Sequence, residues 1–565
     1  MSNSSVTRLD TANARRGADV LLEILASEGV DYIFGNPGTT ELPLMDALLH
    51  APELKYILGL QEASVVAMAD GYAQAARRPA FLNLHTAGGL GHGMGNLLNA
   101  SVSQTPLVVT AGQQDSRHTV ADPLLFADLA RIAEPAVKWA REVTAADELP
   151  VLVRRAFHDA TAAPSGPVFL SFPMDVMEEM SSVGISGKSC IDRSAVAGSL
   201  PKLAAHLASV RPGRVAMIAG DEIYWSQAAE EAVALAELLA SPVYGSSWPS
   251  RIPFPTSHPL WAGNLPTRAC EIAEILSNYD AVFALGGKSL ITILYTEGSA
   301  VPTCCDVYQL SADVRDLGRT YATKLSVVGE IKASLRALLP HVEKATGPER
   351  QAYEQLNRKA EDNQGARRST LFSLADAQYH EPVTTPLVAA REAIRAIGPN
   401  VPIVDEAIAT SGYVRQFLNS ESGNQYSFMR GGGLGWAMPA AVGCSLGLGR
   451  EPVVCLVGDG AALYSPQALW TAAHENLPVT FVVMNNREYN VLKNFMRSQV
   501  DYLSARTNQF IAMELNQPPI DYVAMAQGLG VPAQRIENAA DIAPAIEAGT
   551  ASGRVNLLDI AIKAA

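Results

Sequence analysis

Val453-Val454-Cys455-Leu456-Val457-Gly458-Asp459-Gly460 and Val479-Thr480-Phe481-Val482-Val483-Met484-Asn485-Asn486 are two apolar runs, each closing on polar residues. The interval between them is long enough for one turn, one helix and one strand. The pattern predicts a βαβ unit, with Val453–Val457 and Val479–Met484 as neighbouring parallel strands and Ser465–Glu475 as the crossover helix. Both polar ends then meet outside the carboxyl ends of the strands, where open α/β sheets hold their ligands. A carboxylate oxygen from Asp459 and an amide oxygen from Asn486 suit a hard cation such as Mg²⁺, which takes oxygen ligands and commonly bridges to phosphate. Either string alone is ordinary turn chemistry. Together, after two strand-like runs, they predict a metal-anchored diphosphate.

The same alternation recurs outward from this unit. From residue 17 to about 180 the sequence predicts a helix to Gly29, strands Tyr32–Phe34 and Tyr56–Leu60, a helix Glu62–Ala76 and a strand Ala80–His85. A Gly-rich turn and helix follow, then a strand Leu107–Thr110. Short β-rich runs between helical stretches imply a parallel sheet wrapped on both faces. Ser181–Ser189 reads as a linker, and a second α/β unit follows with strands near Val215–Ala219, Val282–Leu285 and Val307–Leu310. Residues 343–375 are strongly charged and poor in large apolar side chains, which predicts an exposed helical linker. A third unit starts near Pro386 and adds strands Val401–Val404 and Val555–Ile562. The expected fold class is α/β, three doubly wound parallel-sheet domains at 12–180, 190–345 and 381–565 with a linker at 346–380.

Size and composition bound the function. A chain of 565 residues is too long for one core, and 48% hydrophobic residues can furnish several. The formal net charge of −14 disfavours attraction to nucleic acid or anionic membranes, so any phosphate needs a local site. Cysteines at 190, 270, 304, 305, 444 and 455 show no C-x-x-C spacing and are expected as reduced core residues. Arg15 and Arg16 precede an apolar stretch, but Asp19 and Glu23 interrupt it with helical period, so an amphipathic helix is expected rather than a signal peptide. No run approaches the ~20 apolar residues of a membrane span. A cytoplasmic protein is the expectation.

Several residues at predicted strand ends could carry chemistry. Phe34-Gly35-Asn36-Pro37-Gly38-Thr39-Thr40-Glu41-Leu42-Pro43 follows a strand and opens a helix, where Thr39, Thr40 and Glu41 suit the capping of free amides. Glu62 begins a largely apolar helix, either as a carboxylate favoured by the helix dipole or as a partly buried acid able to exchange a proton. His85 ends an apolar strand before Thr86-Ala87-Gly88-Gly89, a suitable place for acid/base work. His92, between glycines, is a weaker candidate. Arg430-Gly431-Gly432-Gly433-Leu434-Gly435 permits close backbone approach to a flat ligand, with Leu434 pressing on it.

Together these residues resemble the thiamine diphosphate enzymes, built from pyrimidine-binding, middle and diphosphate-binding α/β domains. The strings FGNPGTTELP, LQEASVVAMADGYAQ, PAFLNLHTAGG, VTAGQQ, GGLGWAMPAAVG and GDGAALYSPQALWTAA are similar to the benzoylformate decarboxylase family. The resemblance implies that Asp459, Asn486 and the Glu488 carbonyl ligate Mg²⁺ (or Ca²⁺), while Gly458, Gly460, Ala461, Tyr489 and the Ala409-Thr410 turn frame the diphosphate. It implies that Leu434 bends the cofactor, that the Gly432 carbonyl faces its amino group, and that Glu62 bonds the pyrimidine and helps form the nucleophilic ylid. Thr39 is implied as a substrate-carboxylate contact and His85 as the proton-handling histidine, with Phe428 and Phe495 lining the substrate pocket. The family's active site lies between subunits, which implies a homodimer or a homotetramer built as a dimer of dimers.

One departure concerns a second histidine of the family, at whose place Ile293 falls. Its loss should slow protonation of the intermediate and leave time for attack on a second carbonyl. Arg430 and Arg487 flank cofactor strings, either as exposed cations or as contacts for an anionic substrate tail or phosphate. The leading expectation is a non-oxidative 2-oxo acid decarboxylase with carboligation as a side activity. The alternatives are a carboligase or lyase, of 2-hydroxyacyl-CoA lyase or acetolactate-synthase type, and a non-catalytic cofactor-binding relative. A nucleotide in the middle domain is not compelled, since Ala219-Gly220-Asp221 and Gly286-Gly287 are only turn-like.

Overall fold

The structure, a computed structural model, describes residues 14–564, so residues 12 and 13 of the expected first domain lie outside it. Three parallel-sheet domains are present, each with a six-stranded sheet. In the first the strands are β1 (Tyr32–Gly35), β2 (Lys55–Leu58), β3 (Ala80–His85), β4 (Leu107–Gln113), β5 (Ala140–Glu142) and β6 (Val168–Pro173). The second has β7 (Val215–Ala219), β8 (Val243–Gly245), β9 (Trp261–Asn264), β10 (Ala281–Leu285), β11 (Asp306–Ser311) and β12 (Leu325–Val328). The third has β13 (Ile403–Glu406), β14 (Tyr426–Phe428), β15 (Val453–Gly458), β16 (Val479–Asn485), β17 (Ala533–Ile536) and β18 (Asn556–Ala561).

The order is β2-β1-β3-β4-β6-β5 in the first sheet and β14-β13-β15-β16-β18-β17 in the third, the same pattern twice. The middle sheet runs β9-β8-β7-β10-β11-β12, the order of dinucleotide-binding folds. In the predicted βαβ unit Val453 pairs with Val479 and Gly458 with Met484, all parallel. Both strands are enclosed on both faces, which is why they read as unbroken apolar runs rather than alternating ones. The crossover is shorter than expected, a turn of helix at Asp459–Ala462 and a helix at Ala468–His474.

By contact the chain forms two compact units. Of the described residues, one holds those up to Ile191 with Gly431–Glu451 and Ser465–Leu477; the other holds Asp192–Arg430, Pro452–Tyr464 and 478–564. Helix Ala437–Gly447, which the sequence assigns to the third domain, thus belongs with the first unit, where it packs on helix Glu62–Ala76. Glycine makes that packing possible: a Cβ at Gly71 would fall 2.1 Å from the Ala440 carbonyl oxygen, and one at Gly443 would fall 1.8 Å from that of Met68. In the second unit the middle and third sheets share one apolar core, running from Leu200 through Phe254 and Phe428 to Ile562.

The linker forms a helix, Arg350–Gln378, in which only Tyr353 and Ala375 are buried. The Gly-rich segment after His85 is helical from Thr86 to Val102 without an intervening turn. Its glycines admit a close neighbour, since a Cβ at Gly93 would sit 3.0 Å from Val66 and one at Gly89 would sit 3.3 Å from Glu62. All six cysteines are free, but Cys190, Cys270 and Cys304 are exposed, which corrects the expectation of six core residues. Among the described residues no helix is long and apolar enough to cross a membrane.

Candidate active site

In the first unit the carboxyl ends of β1, β3 and β4 bring together groups far apart in sequence. Glu41, its side chain almost wholly buried, is the hub. Its Oε2 accepts from the Gly38 N–H at 2.8 Å and lies 2.8 Å from His85 Nδ1. Its Oε1 accepts from the Thr40 hydroxyl at 2.8 Å and from the Gly112 N–H at 3.1 Å. Thr40 Oγ1 also lies 3.1 Å from His85 Nδ1. Because Thr40 donates its hydroxyl proton to Glu41, this network assigns the proton on the imidazole to Nδ1 and leaves Nε2 for chemistry. The hydrogen bond to Glu41 raises the His85 pKa, burial opposes it, and the charges of Glu41 and Glu62 add to the rise. The Gly38 backbone lies against the ring, where a Cβ would fall 2.3 Å from Nδ1. Close approach, rather than turn geometry, makes glycine necessary there.

Glu62 opens helix Glu62–Ala76, behind the N-cap Gln61, whose side chain accepts from the Ser64 N–H. Its Oε1 accepts from Asn36 Nδ2 and its Oε2 meets His92 Nδ1, each at 3.1 Å. His92, the weaker sequence candidate, therefore touches the predicted catalytic acid. The Gly431–Gly435 loop is pinned by Asn99, which donates to the Gly433 carbonyl at 2.7 Å and accepts its N–H at 2.9 Å. Trp436 Nε1 donates to Asp70 at 2.7 Å. Gly432 has φ 79° and Gly435 φ 91°, left-handed conformations that suit glycine, and Leu434 between them stays 36% exposed.

In the second unit Asp459 stands at the end of β15 and Asn486 just after β16. Asp459 Oδ1 accepts from the Gly460 N–H at 2.8 Å and Oδ2 from the Arg487 N–H at 2.6 Å. Burial pushes its carboxyl up to about 6 against those bonds. Among the described residues no cationic side chain pairs with it, so a divalent ion fits the charge. Asn486 Oδ1 accepts from the Glu488 N–H at 3.1 Å. The Glu488 side chain is turned to Lys493 and Asn490. Gly460 is pressed by the Tyr489 ring, 2.6 Å from where a Cβ would be. Thr410 closes its turn with an N–H bond to the Ala407 carbonyl at 2.6 Å, beside the half-buried Ala409.

Other expected site residues fall differently. Thr39 is exposed, and the hydroxyl that reaches His85 belongs to Thr40. Phe428 is a core residue rather than a pocket wall: it is 1% exposed, with Trp248 edge-on at 4.8 Å and the Arg415 guanidinium over its ring. Arg430 is neither exposed nor directed to a ligand; it is buried in an ion pair with Asp221 and donates to the Lys288 carbonyl. Ile293 is 43% exposed in an irregular segment, Phe495 is half-buried on helix Asn490–Arg497, and Arg487 is exposed. Sequence reasoning took Glu41 for a capping residue. A carboxylate three residues past a Gly-Asn-Pro-Gly turn was the available signal.

Three family models match the chain: the N-terminal binding domain of thiamine pyrophosphate enzymes over residues 15–129, the central domain over 200–338 and the C-terminal binding domain over 409–560. A benzoylformate decarboxylase of Pseudomonas aeruginosa is 33% identical over 95% of this chain and 97% of its own. An acetolactate synthase of Mycobacterium bovis is 25% identical over 94% of this chain and 85% of its own. The structure is similar to a thiamine diphosphate-dependent 4-hydroxybenzoylformate decarboxylase of Rhodococcus jostii, with TM-score 0.84, 26% identity and coverage of 97% and 99%. It is equally similar to a benzoylformate decarboxylase of Polynucleobacter necessarius, with TM-score 0.84, 27% identity and coverage of 98% and 99%. The chain belongs to the thiamine diphosphate-dependent enzyme family.

Proposed function

We propose that this enzyme is a non-oxidative decarboxylase of 2-oxo acids, releasing an aldehyde, with benzoylformate-like substrates as the first class to test. The observation that carries the proposal is His85, held at the end of β3 through Nδ1 by a buried carboxylate, with no hydrogen bond to Nε2 among the described residues. A decarboxylase must return a proton to carbon after CO₂ leaves, and an imidazole with a pKa lifted by Glu41 is suited to deliver it. The bound cofactor supplies a carbon nucleophile and an electron sink for the departing carboxylate.

The chain's own residues divide the remaining work. Asp459, Asn486 and the Glu488 carbonyl hold the metal, and Ala409, Thr410, Gly458, Gly460, Ala461 and Tyr489 frame the diphosphate. Glu62 would hold the pyrimidine ring nitrogen, the Gly432 carbonyl would accept from its amino group, and Leu434 would support the cofactor. Thr39 contacts the substrate carboxylate, Thr40 and Glu41 position His85, and Ile293 and Phe495 face the organic part of the substrate. The working form is a homodimer or dimer of dimers in the cytoplasm, with one subunit's Glu62 serving a cofactor whose diphosphate the other holds.

Ile293 favours a second reading, carboligation, because an aliphatic side chain at that position has no proton to deliver. The similarity to acetolactate synthase is in keeping with it. Product analysis after incubating the metal- and cofactor-loaded enzyme with benzoylformate, pyruvate and added aldehydes separates the two. Free aldehyde as the main product supports the decarboxylase; acyloin as the main product supports the ligase.

A further inference from the structure

The second unit carries a half-open cavity of about 410 Å³, lined by none of the expected site residues. Its walls are the end of β9 and the turn after it, one face of helix Arg350–Gln378, and helix Ser411–Phe417. Gln364, Arg367, Arg368 and Leu371 recur at helical spacing and so share that face. Three of the lining residues are arginines, Arg367, Arg368 and Arg415, and none is an aspartate or glutamate. In a chain of net charge −14 this is a local reversal of sign.

None of the three arginines makes a salt bridge among the described residues. Arg367 donates to the Trp261 carbonyl and Arg368 to the Leu418 carbonyl at 3.3 Å, both neutral acceptors. Arg415 stacks over Phe428, and its Nη1 is buried without a hydrogen-bond partner. The acid that interacts with Arg415 is Asp405, which already accepts from the Tyr426 hydroxyl at 2.6 Å and the Ala407 N–H at 2.8 Å. Like charge works against the pair on the long helix: burial and the neighbouring Arg367 both lower the Arg368 pKa. Arg367 and Arg368 have no acidic partner among the described residues, and Arg415 has only the buried Asp405, whose oxygens are already engaged; an anion would relieve them, and phosphoryl groups match guanidinium geometry best.

The carboxyl edge of the middle sheet, where a nucleotide would rest in folds of this strand order, carries three acids, two of them already paired with arginines, Asp221 with Arg430 and Asp313 with Arg315. Glu222 accepts there from the Ser311 hydroxyl at 2.7 Å and the Ala312 N–H at 2.8 Å, beside Asp221 and Asp313. The volume of the arginine cavity exceeds what a lone phosphate needs and falls within the range of about 300–1,000 Å³ typical of sites for small organic ligands. Leu265, Leu371 and Trp261 provide apolar wall for an organic part.

We propose that this cavity binds a phosphorylated small molecule of nucleoside-diphosphate size, its phosphoryl groups on Arg367, Arg368 and Arg415. Helix Ser411–Phe417 begins directly after Thr410, so an occupant touching Arg415 bears on the turn assigned to the cofactor diphosphate.

The test uses enzyme already saturated with thiamine diphosphate and Mg²⁺, so that the cofactor's own site is filled. ADP and inorganic pyrophosphate are titrated by calorimetry into this protein and into the double variant Arg367→Gln/Arg368→Gln, whose folding is checked by thermal unfolding. Both changes lie on a helix with few buried residues, so the variant is expected to fold. The expected result is saturable ADP binding with one site per chain, tighter than pyrophosphate and weakened at least about tenfold in the double variant. No saturable binding of either probe, or equal ADP affinity in the double variant, would overturn the site. Pyrophosphate binding as tightly as ADP would overturn the nucleotide-sized occupant.

Discussion

Glu41 Oε2 and His85 Nδ1 are 2.8 Å apart across the carboxyl edge of the first sheet, although the residues are 44 positions apart in sequence. The buried carboxylate holds the imidazole by a charge-assisted hydrogen bond while two backbone N–H groups and the Thr40 hydroxyl fix the carboxylate. An exposed pair would be free to rotate. This one orients the ring and sets its tautomer.

Replacing that carboxylate should therefore change a pH profile as well as a rate. In Glu41→Gln the negative charge that raises the His85 pKa is gone, so the basic limb of the kcat profile should move to lower pH. kcat at pH 7 should fall roughly tenfold or more. A loss of rate with an unmoved limb would mean that Glu41 supports the fold without tuning His85.

The same contact links stability to pH. The folded-state pKa of His85 is raised above its ordinary value, so protonation favours the fold. That contribution is fully present below about pH 6.5 and is lost as the pH rises through the folded-state pKa. Urea midpoints of the protein and of His85→Gln, compared at pH 5.5 and pH 9, should differ more at the lower pH. A gap that widened at the higher pH would reverse the assignment.

Glu62→Gln should abolish turnover while leaving metal-dependent uptake of thiamine diphosphate largely intact, because the cofactor's main anchors are assigned to Asp459 and Asn486. Calorimetry and a CO₂ assay on the same sample read both quantities. Turnover surviving the change would contradict the role given to this acid. Asp459→Asn should do the opposite, weakening metal-dependent uptake by at least about tenfold.

The Gly443 site tests the helix contact that carries Glu62. An alanine Cβ there would fall 1.8 Å from the Met68 carbonyl oxygen, so Gly443→Ala must part the two helices. A loss of at least ~2 kcal/mol is expected, read as a drop in the denaturant midpoint. An unchanged midpoint would show that the helices cross with room to spare.

Where chemistry repeats at short range, the sequence is readable. Helix Glu62–Ala76 and strands Ala80–His85 and Val215–Ala219 match their predicted limits, because each is bounded by local turn signals and filled by one hydrophobic pattern. The βαβ pair bearing Asp459 and Asn486 is legible for the same reason. Edge strands such as Tyr426–Phe428 and Ala533–Ile536 are too short to announce themselves. Contacts across long sequence separations left no trace either: Arg430 finds Asp221 across 209 positions, and nothing near either residue records it. Glu41 was hidden because a carboxylate at a helix start looks the same whether it caps an amide or holds an imidazole.

The most direct measurement of the central claim is CO₂ release from benzoylformate and other 2-oxo acids by metal-free, cofactor-free protein, before and after thiamine diphosphate and Mg²⁺ are added back. The account predicts CO₂ and free aldehyde in equal amounts only when both are restored, and none with Glu62→Gln. Release without the cofactor, or fully loaded enzyme that decarboxylates no 2-oxo acid, would contradict it.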